Sequence, residues 1–161
     1  MKDHTEAISI DYDPKVTSYN ELLKYFWNGH RCDRNSSSVQ YQNAIFYRNE
    51  EQKKMAKESL QARAKKRGIT EAQVATKIRP IKEFTYAEKY HQKYAIRGDI
   101  RDALDDIYPD AKALADSTIA TKLNAYLGEG MKARLGPFLN ELPKYDLPEE
   151  LETAIRKKLL P

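Results

Sequence analysis

Cysteine and long apolar stretches are scarce in this sequence. Its 161 residues include a single cysteine, Cys32, which excludes a disulfide or a cysteine-rich metal site within them. No apolar run approaches the roughly 20 residues that a membrane-spanning helix needs. The charged start around Lys2 and Asp3 is unlike a signal peptide. We therefore expect a cytoplasmic protein without membrane contact, and a mitochondrial location stays open.

A strong excess of one charge is also missing. The chain has 28 basic and 24 acidic residues, a net charge of +4. Its one basic run, Lys65-Lys66-Arg67, is typical of the solvated end of a helix. We therefore expect no nucleic-acid partner. With 40% hydrophobic and 32% charged residues, the composition indicates a globular protein with a modest core.

The first predicted strand covers residues 6–12, where apolar and polar residues alternate. Ile8, Ile10 and Tyr12 share one face, which predicts a half-buried strand. Glu6 has the same parity as the isoleucines. Its carboxylate therefore faces the apolar side where the strand begins, unless this end frays into water.

Helices and strands then alternate along the first half of the chain. The patterns predict a helix opened by Ser18 and Glu21, a strand over residues 41–47, a helix from Glu50 that Gly68 ends, a strand over residues 73–78 and a short helix over residues 85–94. After Gly98 the pattern is helical only. We predict an α+β fold, a mixed sheet with helices packed on it, over residues 1–97. An α-helical C-terminal extension covers residues 98–161.

Three stretches, taken in order, carry a resemblance to a known family. They are His4-Thr5-Glu6-Ala7 running into Asp11-Tyr12-Asp13-Pro14 and on to Phe26-Trp27, then Gln40-Tyr41 followed by Ala44-Ile45-Phe46-Tyr47, then Ala87-Glu88 with Tyr90-His91-Gln92-Lys93-Tyr94. Their order and spacing resemble the peptide-methionine (S)-S-oxide reductases, the type A methionine sulfoxide reductases. The resemblance covers residues 3–97 and implies that residues 1–97 are the reductase domain.

The resemblance implies a reaction and a set of site residues. The family reduces the S epimer of methionine sulfoxide, free or in proteins, through attack of a thiolate on the sulfoxide sulfur. The oxygen must be protonated to leave, so an acid and a hydrogen-bond donor converge on it. Glu6 matches the acid, where burial would keep the proton available, and Tyr41 matches the donor. Ser36 and Gln40 fall at substrate-binding positions.

The resemblance also implies the source of electrons. Thioredoxin or another thiol serves as external reductant, and no bound cofactor and no metal are expected. The family's Gly-Cys-Phe-Trp segment, which holds the nucleophile, would lie upstream of His4. Ser36 stands where the family often has an aspartate. We therefore expect this chain to be inactive alone.

Three interpretations stay open at this point. The sequence is part of a longer reductase, or it is complete and has become a non-catalytic interaction protein derived from the family. In the third, Cys32 replaces the missing nucleophile, because it lies in the loop before Tyr41.

Overall fold

The structure is a computed structural model that describes residues 4–129 and 135–160. The chain forms two compact units; the first ends at Phe84 and the second begins at Thr85. The described part of the first unit contains helices and strands, and that of the second contains helices and turns. The predicted α+β class is thereby confirmed. The predicted division into a reductase domain and an extension at Gly98 stays a prediction.

The first unit is built around a parallel strand pair. Its elements are α1 (Tyr19–Asn28), β1 (Ala44–Tyr47), α2 (Glu50–Arg67) and β2 (Lys77–Pro80). β1 and β2 pair in parallel with Ile45 opposite Ile78, because α2 carries the chain back to the same end of the sheet before β2 begins. The buried core contains Leu23, Trp27, Cys32, Ile45 and Ala56.

Local sequence signals explain where these helices begin and end. The Ser18 hydroxyl accepts a hydrogen bond from the Glu21 N–H at the start of α1. The Asn49 side chain does the same for the Gln52 N–H at the start of α2, which satisfies backbone donors that the helix leaves free. α2 ends at Gly68, whose φ of +66° suits glycine. The predicted helices in these two regions are confirmed.

The predicted strand over residues 6–12 is wrong, since these residues form neither helix nor strand. Ile8 is 83% exposed and Ile10 is 50% exposed. Among the described residues, Glu6 alone in this stretch donates its backbone N–H to a backbone acceptor, the carbonyl of Gln40. Alternation does not make a strand without a partner that satisfies the backbone groups.

The second unit contains the helices α3 (Asp99–Ile107), α4 (Ala111–Asp116), α5 (Thr118–Glu129), α6 (Leu135–Glu141) and α7 (Glu149–Leu159), and a 3-10 helix at Leu142–Tyr145. Their apolar faces meet in a core that includes Leu104, Leu114, Leu123, Leu142 and Ile155, each 0% exposed. The helical character predicted for residues 98–161 is confirmed in the described part of this range.

The predicted helix over residues 85–94 is wrong. A single short turn, Lys89–His91, is helical there, and it is of the 3-10 type. The guanidinium of Arg101 donates to the carbonyl oxygens of Lys89 and Gln92, at 2.6 and 2.7 Å. The Lys89 carbonyl also accepts from the Gln92 N–H at 3.1 Å, which is the three-residue spacing of a 3-10 turn and not that of an α-helix.

Candidate functional site

Two hydrogen bonds join Glu6 to Gln40. The Glu6 N–H donates to the Gln40 carbonyl at 2.9 Å, and the Gln40 side-chain amide donates to a Glu6 carboxylate oxygen at 2.7 Å. Tyr41 follows Gln40 directly in the chain and is 60% exposed. The structure therefore brings the predicted acid to the residue that adjoins the predicted donor.

Glu6 lies at the surface and not in a buried position. The expectation that Glu6 is buried is therefore wrong for this structure. The cause is that residues 6–12 do not join the sheet, so no second strand covers the carboxylate. Glu6 and Tyr41 are instead two exposed polar side chains connected through Gln40.

Ser36 lies in the loop that precedes β1, and Asn35 holds this loop in place. The Asn35 side chain donates to the Ala75 carbonyl at 2.8 Å and accepts from the Asn43 N–H at 2.6 Å. The Ser36 hydroxyl oxygen accepts from the Ser38 N–H at 3.1 Å, which leaves its own proton able to bond elsewhere. Ser36 is exposed.

A second contact joins Thr5 to Gln42, which precede Glu6 and follow Tyr41 in the chain, respectively. The Gln42 side-chain amide donates to the Thr5 hydroxyl at 2.5 Å, and that hydroxyl donates to the Val39 carbonyl at 3.0 Å. Gln42 is 8% exposed, and its amide oxygen has no hydrogen-bond partner among the described residues. A buried acceptor in this state costs about 1–3 kcal/mol. A donor that reached this oxygen would relieve that cost.

Asn35, Thr5 and Gln42 were missed by sequence reasoning. A signal for them exists, since Thr5 and Gln42 flank the positions that the family resemblance picks out, and Asn35 opens a polar run. Their partners lie between 8 and 40 positions away in the chain. Contacts of this kind leave no periodic pattern, so only the fold reveals them.

Cys32 lies in the core and not on the surface that carries Tyr41. Its side chain is 1% exposed, and it packs with Leu23 and Trp27. Its carbonyl oxygen accepts from the Ala75 N–H at 2.7 Å, which fixes the backbone beside β2. In this structure the thiol cannot meet a substrate sulfur, because core side chains surround it.

The first unit also contains a cavity of about 220 Å³ near the starts of α1 and α2. Its lining is Tyr12, Pro14, Thr17, Ser18, Tyr19, Asn49, Glu51, Gln52 and Met55. Burial, together with the neighbouring Tyr12, raises the pKa of Tyr19. Glu6, Ser36, Gln40 and Tyr41 are not part of this lining, so the predicted site is a surface arrangement separate from the cavity.

Across residues 4–129 and 135–160, no three His, Cys, Asp or Glu side chains are grouped so that they could hold a metal ion. Over the same residues, no helix combines the length and the apolar character that crossing a membrane requires.

Comparison with known proteins gives one consistent result. The family described as "Peptide methionine sulfoxide reductase" matches residues 1–122. A peptide methionine sulfoxide reductase of Drosophila melanogaster is 41% identical over 128 residues, which are 79% of this chain and 51% of that protein. One from Solanum lycopersicum is 40% identical over 101 residues, covering 60% of this chain and 50% of the relative.

A third relative also matches over about half of its length. The peptide methionine sulfoxide reductase MsrA of Methanosarcina acetivorans is 43% identical over 99 residues, 56% of this chain and 50% of that protein. The chain thus spans about half the length of the curated relatives it matches. Since the family match covers most of the sequence, including Glu6 and Tyr41, the chain belongs to the peptide methionine sulfoxide reductase family.

Proposed function

We propose that the protein acts in the reduction of the S epimer of methionine sulfoxide, in proteins or as the free amino acid, at the expense of thiols. The observation that carries this proposal is the contact between Glu6 and Gln40 beside Tyr41, at positions that match the family. Two polar groups that converge on one oxygen are what this chemistry needs.

In the proposed reaction a thiolate attacks the sulfoxide sulfur. Glu6 gives its proton to the oxygen, and the Tyr41 hydroxyl donates a hydrogen bond to the same oxygen. The protonated oxygen then passes as a hydroxyl from the substrate sulfur to the attacking sulfur, while the bond between the two sulfurs breaks. This leaves a thioether and a sulfenic acid on the attacking thiol. A second thiol condenses with that sulfenic acid and releases water. Thioredoxin or another thiol then reduces the resulting disulfide.

Two further residues fit the substrate. The Gln40 amide, which donates to Glu6 at 2.7 Å, orients the carboxyl group toward the oxygen. The free proton of the Ser36 hydroxyl is available for the peptide backbone around the oxidised methionine. Ser36 therefore takes over a binding role at the position where the family often has an aspartate.

The attacking thiol is proposed to come from outside these 161 residues. Cys32 is their one cysteine, and it is 1% exposed. The relatives named as reductases are about twice as long as the matched region. The relatives' names favour a reductase over a non-catalytic interaction protein. A cytoplasmic location stays a prediction.

The first test is binding of a peptide that contains the S epimer of methionine sulfoxide, followed by NMR. We expect the amide signals of Gln40 and Tyr41 to shift with the S epimer and to stay in place with the R epimer. Equal shifts with both epimers, or no shift with either, would contradict the proposed site.

The second test is catalysis with a dithiol as reductant. The chain alone should give no turnover. The chain mixed with the part of the Drosophila melanogaster relative that it does not match should restore turnover. Glu6→Gln should then lower kcat by about 10²–10⁴-fold, and Tyr41→Phe by about 10²-fold or more. Tyr25→Phe is the matched control, since Tyr25 is 76% exposed and lies on α1. A full rate with Glu6→Gln would contradict the role of Glu6.

A further inference from the structure

Lys93 has an unusual backbone conformation in the second unit. It lies in the turn before α3 with φ of +51°, in the left-handed region that side chains other than glycine rarely adopt. The Ile96 N–H donates to the Lys93 carbonyl at 3.0 Å, and the Ala95 N–H donates to the Asn124 side chain of α5 at 2.9 Å. These bonds hold the turn against α5. Strained backbone that its surroundings maintain in this way is frequent at functional positions.

The Lys93 side chain ends beside a neutral oxygen that can only accept from it. Lys93 Nζ donates to the Thr121 hydroxyl oxygen at 2.7 Å. The Thr121 hydroxyl donates its own proton to the Ser117 carbonyl at 2.9 Å. Because a hydroxyl has one proton, Thr121 has none left for the lone pair of a neutral Lys93 amine. That lone pair therefore stays available to an electrophile.

The carboxylate that acts on Lys93 is bonded to other groups. One Asp116 oxygen accepts from the Lys112 ammonium, and the other accepts from the Tyr86 hydroxyl at 3.4 Å. Asp116 attracts the Lys93 ammonium through space, but within the described residues Lys93 forms no ion pair with it or with any other carboxylate. The charged form of Lys93 thus lacks the direct partner that Lys112 has.

The surroundings of the two lysines shift their titration in opposite directions. Burial lowers the pKa of Lys93, and the attraction of Asp116 opposes this only in part. The hydrogen bond to Asp116 raises the pKa of Lys112. A lysine that loses water around its ammonium becomes a better nucleophile, since more of it is neutral. Lys93 is half-buried and Thr121 is exposed, so a small reagent can reach the amine from solvent.

We propose that the Lys93 amine is a modification site that accepts an acyl group from a small activated donor, an acyl phosphate or an acyl thioester. The nitrogen lone pair attacks the carbonyl carbon of the donor. The bond from that carbon to the phosphate oxygen or to the sulfur breaks, and the leaving group keeps the electron pair. The nitrogen releases one proton to water, and the N–H of the new amide can still donate to Thr121. Nothing is oxidised or reduced, and the predicted reductase site takes no part.

The first test compares lysines within the unaltered full chain. The protein is incubated near neutral pH with acetyl phosphate and, in a parallel arm, with acetyl coenzyme A, and peptide mass spectrometry gives the initial rate at each lysine. We expect Lys93 to be acetylated about threefold or more faster than Lys112 and the exposed Lys15. The arm that shows this preference identifies the class of donor. Equal rates at the three lysines in both arms overturn the proposal.

The second test changes the acceptor beside the amine. Thr121→Glu places a carboxylate next to Lys93 at an exposed position of α5, and an opposite charge at this range favours the ammonium form. Acetylation of Lys93 should therefore slow by about tenfold or more. Thr121→Gln is the matched control, since it adds similar length without charge, and its rate should stay within about twofold of the parent. An unchanged rate in Thr121→Glu, or an equal loss in both variants, overturns the proposal.

Discussion

The Gln40 amide nitrogen lies 2.7 Å from a carboxylate oxygen of Glu6, across 34 positions of sequence. With the backbone bond from the Glu6 N–H to the Gln40 carbonyl, it forms a two-point attachment. Each hydrogen bond of this kind contributes about 0.5–1.5 kcal/mol. The attachment keeps Glu6 beside Tyr41 although the residues that follow Glu6 remain outside the sheet.

Replacing Ser59 with alanine should destabilise the first unit. The Trp27 indole N–H donates to the Ser59 hydroxyl at 2.8 Å, and Trp27 is 4% exposed. Without that acceptor the buried donor is unsatisfied, and the free energy of unfolding should fall by about 1–3 kcal/mol. Urea titration followed by fluorescence measures this, because Trp27 is the one tryptophan of the chain. Ser37→Ala, at an exposed loop position, should stay within about 0.5 kcal/mol of the parent.

Gly68→Ala tests the left-handed end of α2. Gly68 has φ of +66°, and an added Cβ would meet nothing within 4 Å. Any loss is therefore backbone strain, and we expect about 1 kcal/mol in the free energy of unfolding. Gly29→Ala is the control, since Gly29 ends α1 with φ of −80° and its added Cβ would make ordinary contacts at 3.5 Å and beyond. Equal losses in the two variants would refute the argument from φ.

The ion pair between Arg31 and Asp33 should make the free energy of unfolding depend on pH in the acidic range. Arg31 donates to the Asp33 carboxylate at 3.0 Å, and this bond holds the pKa of Asp33 below its ordinary value. A carboxyl group with a lowered folded-state pKa stabilises the fold above its unfolded pKa of about 4. The contribution is lost as the pH falls through the lower, folded-state pKa.

Arg31→Ala should raise the pKa of Asp33 toward its ordinary value, as read from the carboxyl carbon signal in an NMR titration. Arg34→Ala removes a charge from the same loop, and no ion pair of the Arg34 side chain is present among the described residues. That control should leave the Asp33 titration nearly in place. If both variants shift the pKa of Asp33 equally, the total positive charge of the loop, and not the hydrogen bond from Arg31, sets that pKa.

Cys32 should resist thiol reagents in the folded protein. With 1% exposure, its sulfur becomes accessible only when the core opens, so labelling should follow the population of open forms. We expect slow labelling in buffer and fast labelling in denaturant, measured by mass spectrometry. Ser37→Cys provides an exposed thiol for comparison. Labelling of Cys32 in buffer as fast as that of Ser37→Cys would show that the thiol is accessible.

The helices could be predicted because their signals act over a few residues. The side chains of Ser18 and Asn49 accept hydrogen bonds from backbone N–H groups of the first turn. Gly68 ends α2 by adopting a left-handed conformation. Alternation wrongly predicted a strand over residues 6–12, because a strand forms only beside a neighbouring strand that bonds to its backbone. The stretch around Lys89 was mispredicted for a similar reason, since its carbonyl oxygens bond to Arg101, which lies 9 and 12 positions further along the chain.

The site was predictable in part. Glu6 and Tyr41 came from the family resemblance, and residue spacing alone would not have singled them out. Their connection through Gln40 and the contact of Thr5 with Gln42 depend on how the chain between them folds. The exposure of Glu6 was not predictable from the alternation of residues. Alternation shows which residues share a face of a strand, but not whether another element packs on that face.

The outer side of β2 limits how far the sheet can extend. The Ile81 N–H donates to the Tyr47 carbonyl, so by alternation Pro80 faces away from β1, and proline has no N–H to offer a newcomer. The charged side chains of Lys77 and Arg79 are exposed along the same strand, which discourages further strands. This side of the two-stranded sheet is therefore protected against pairing with another chain.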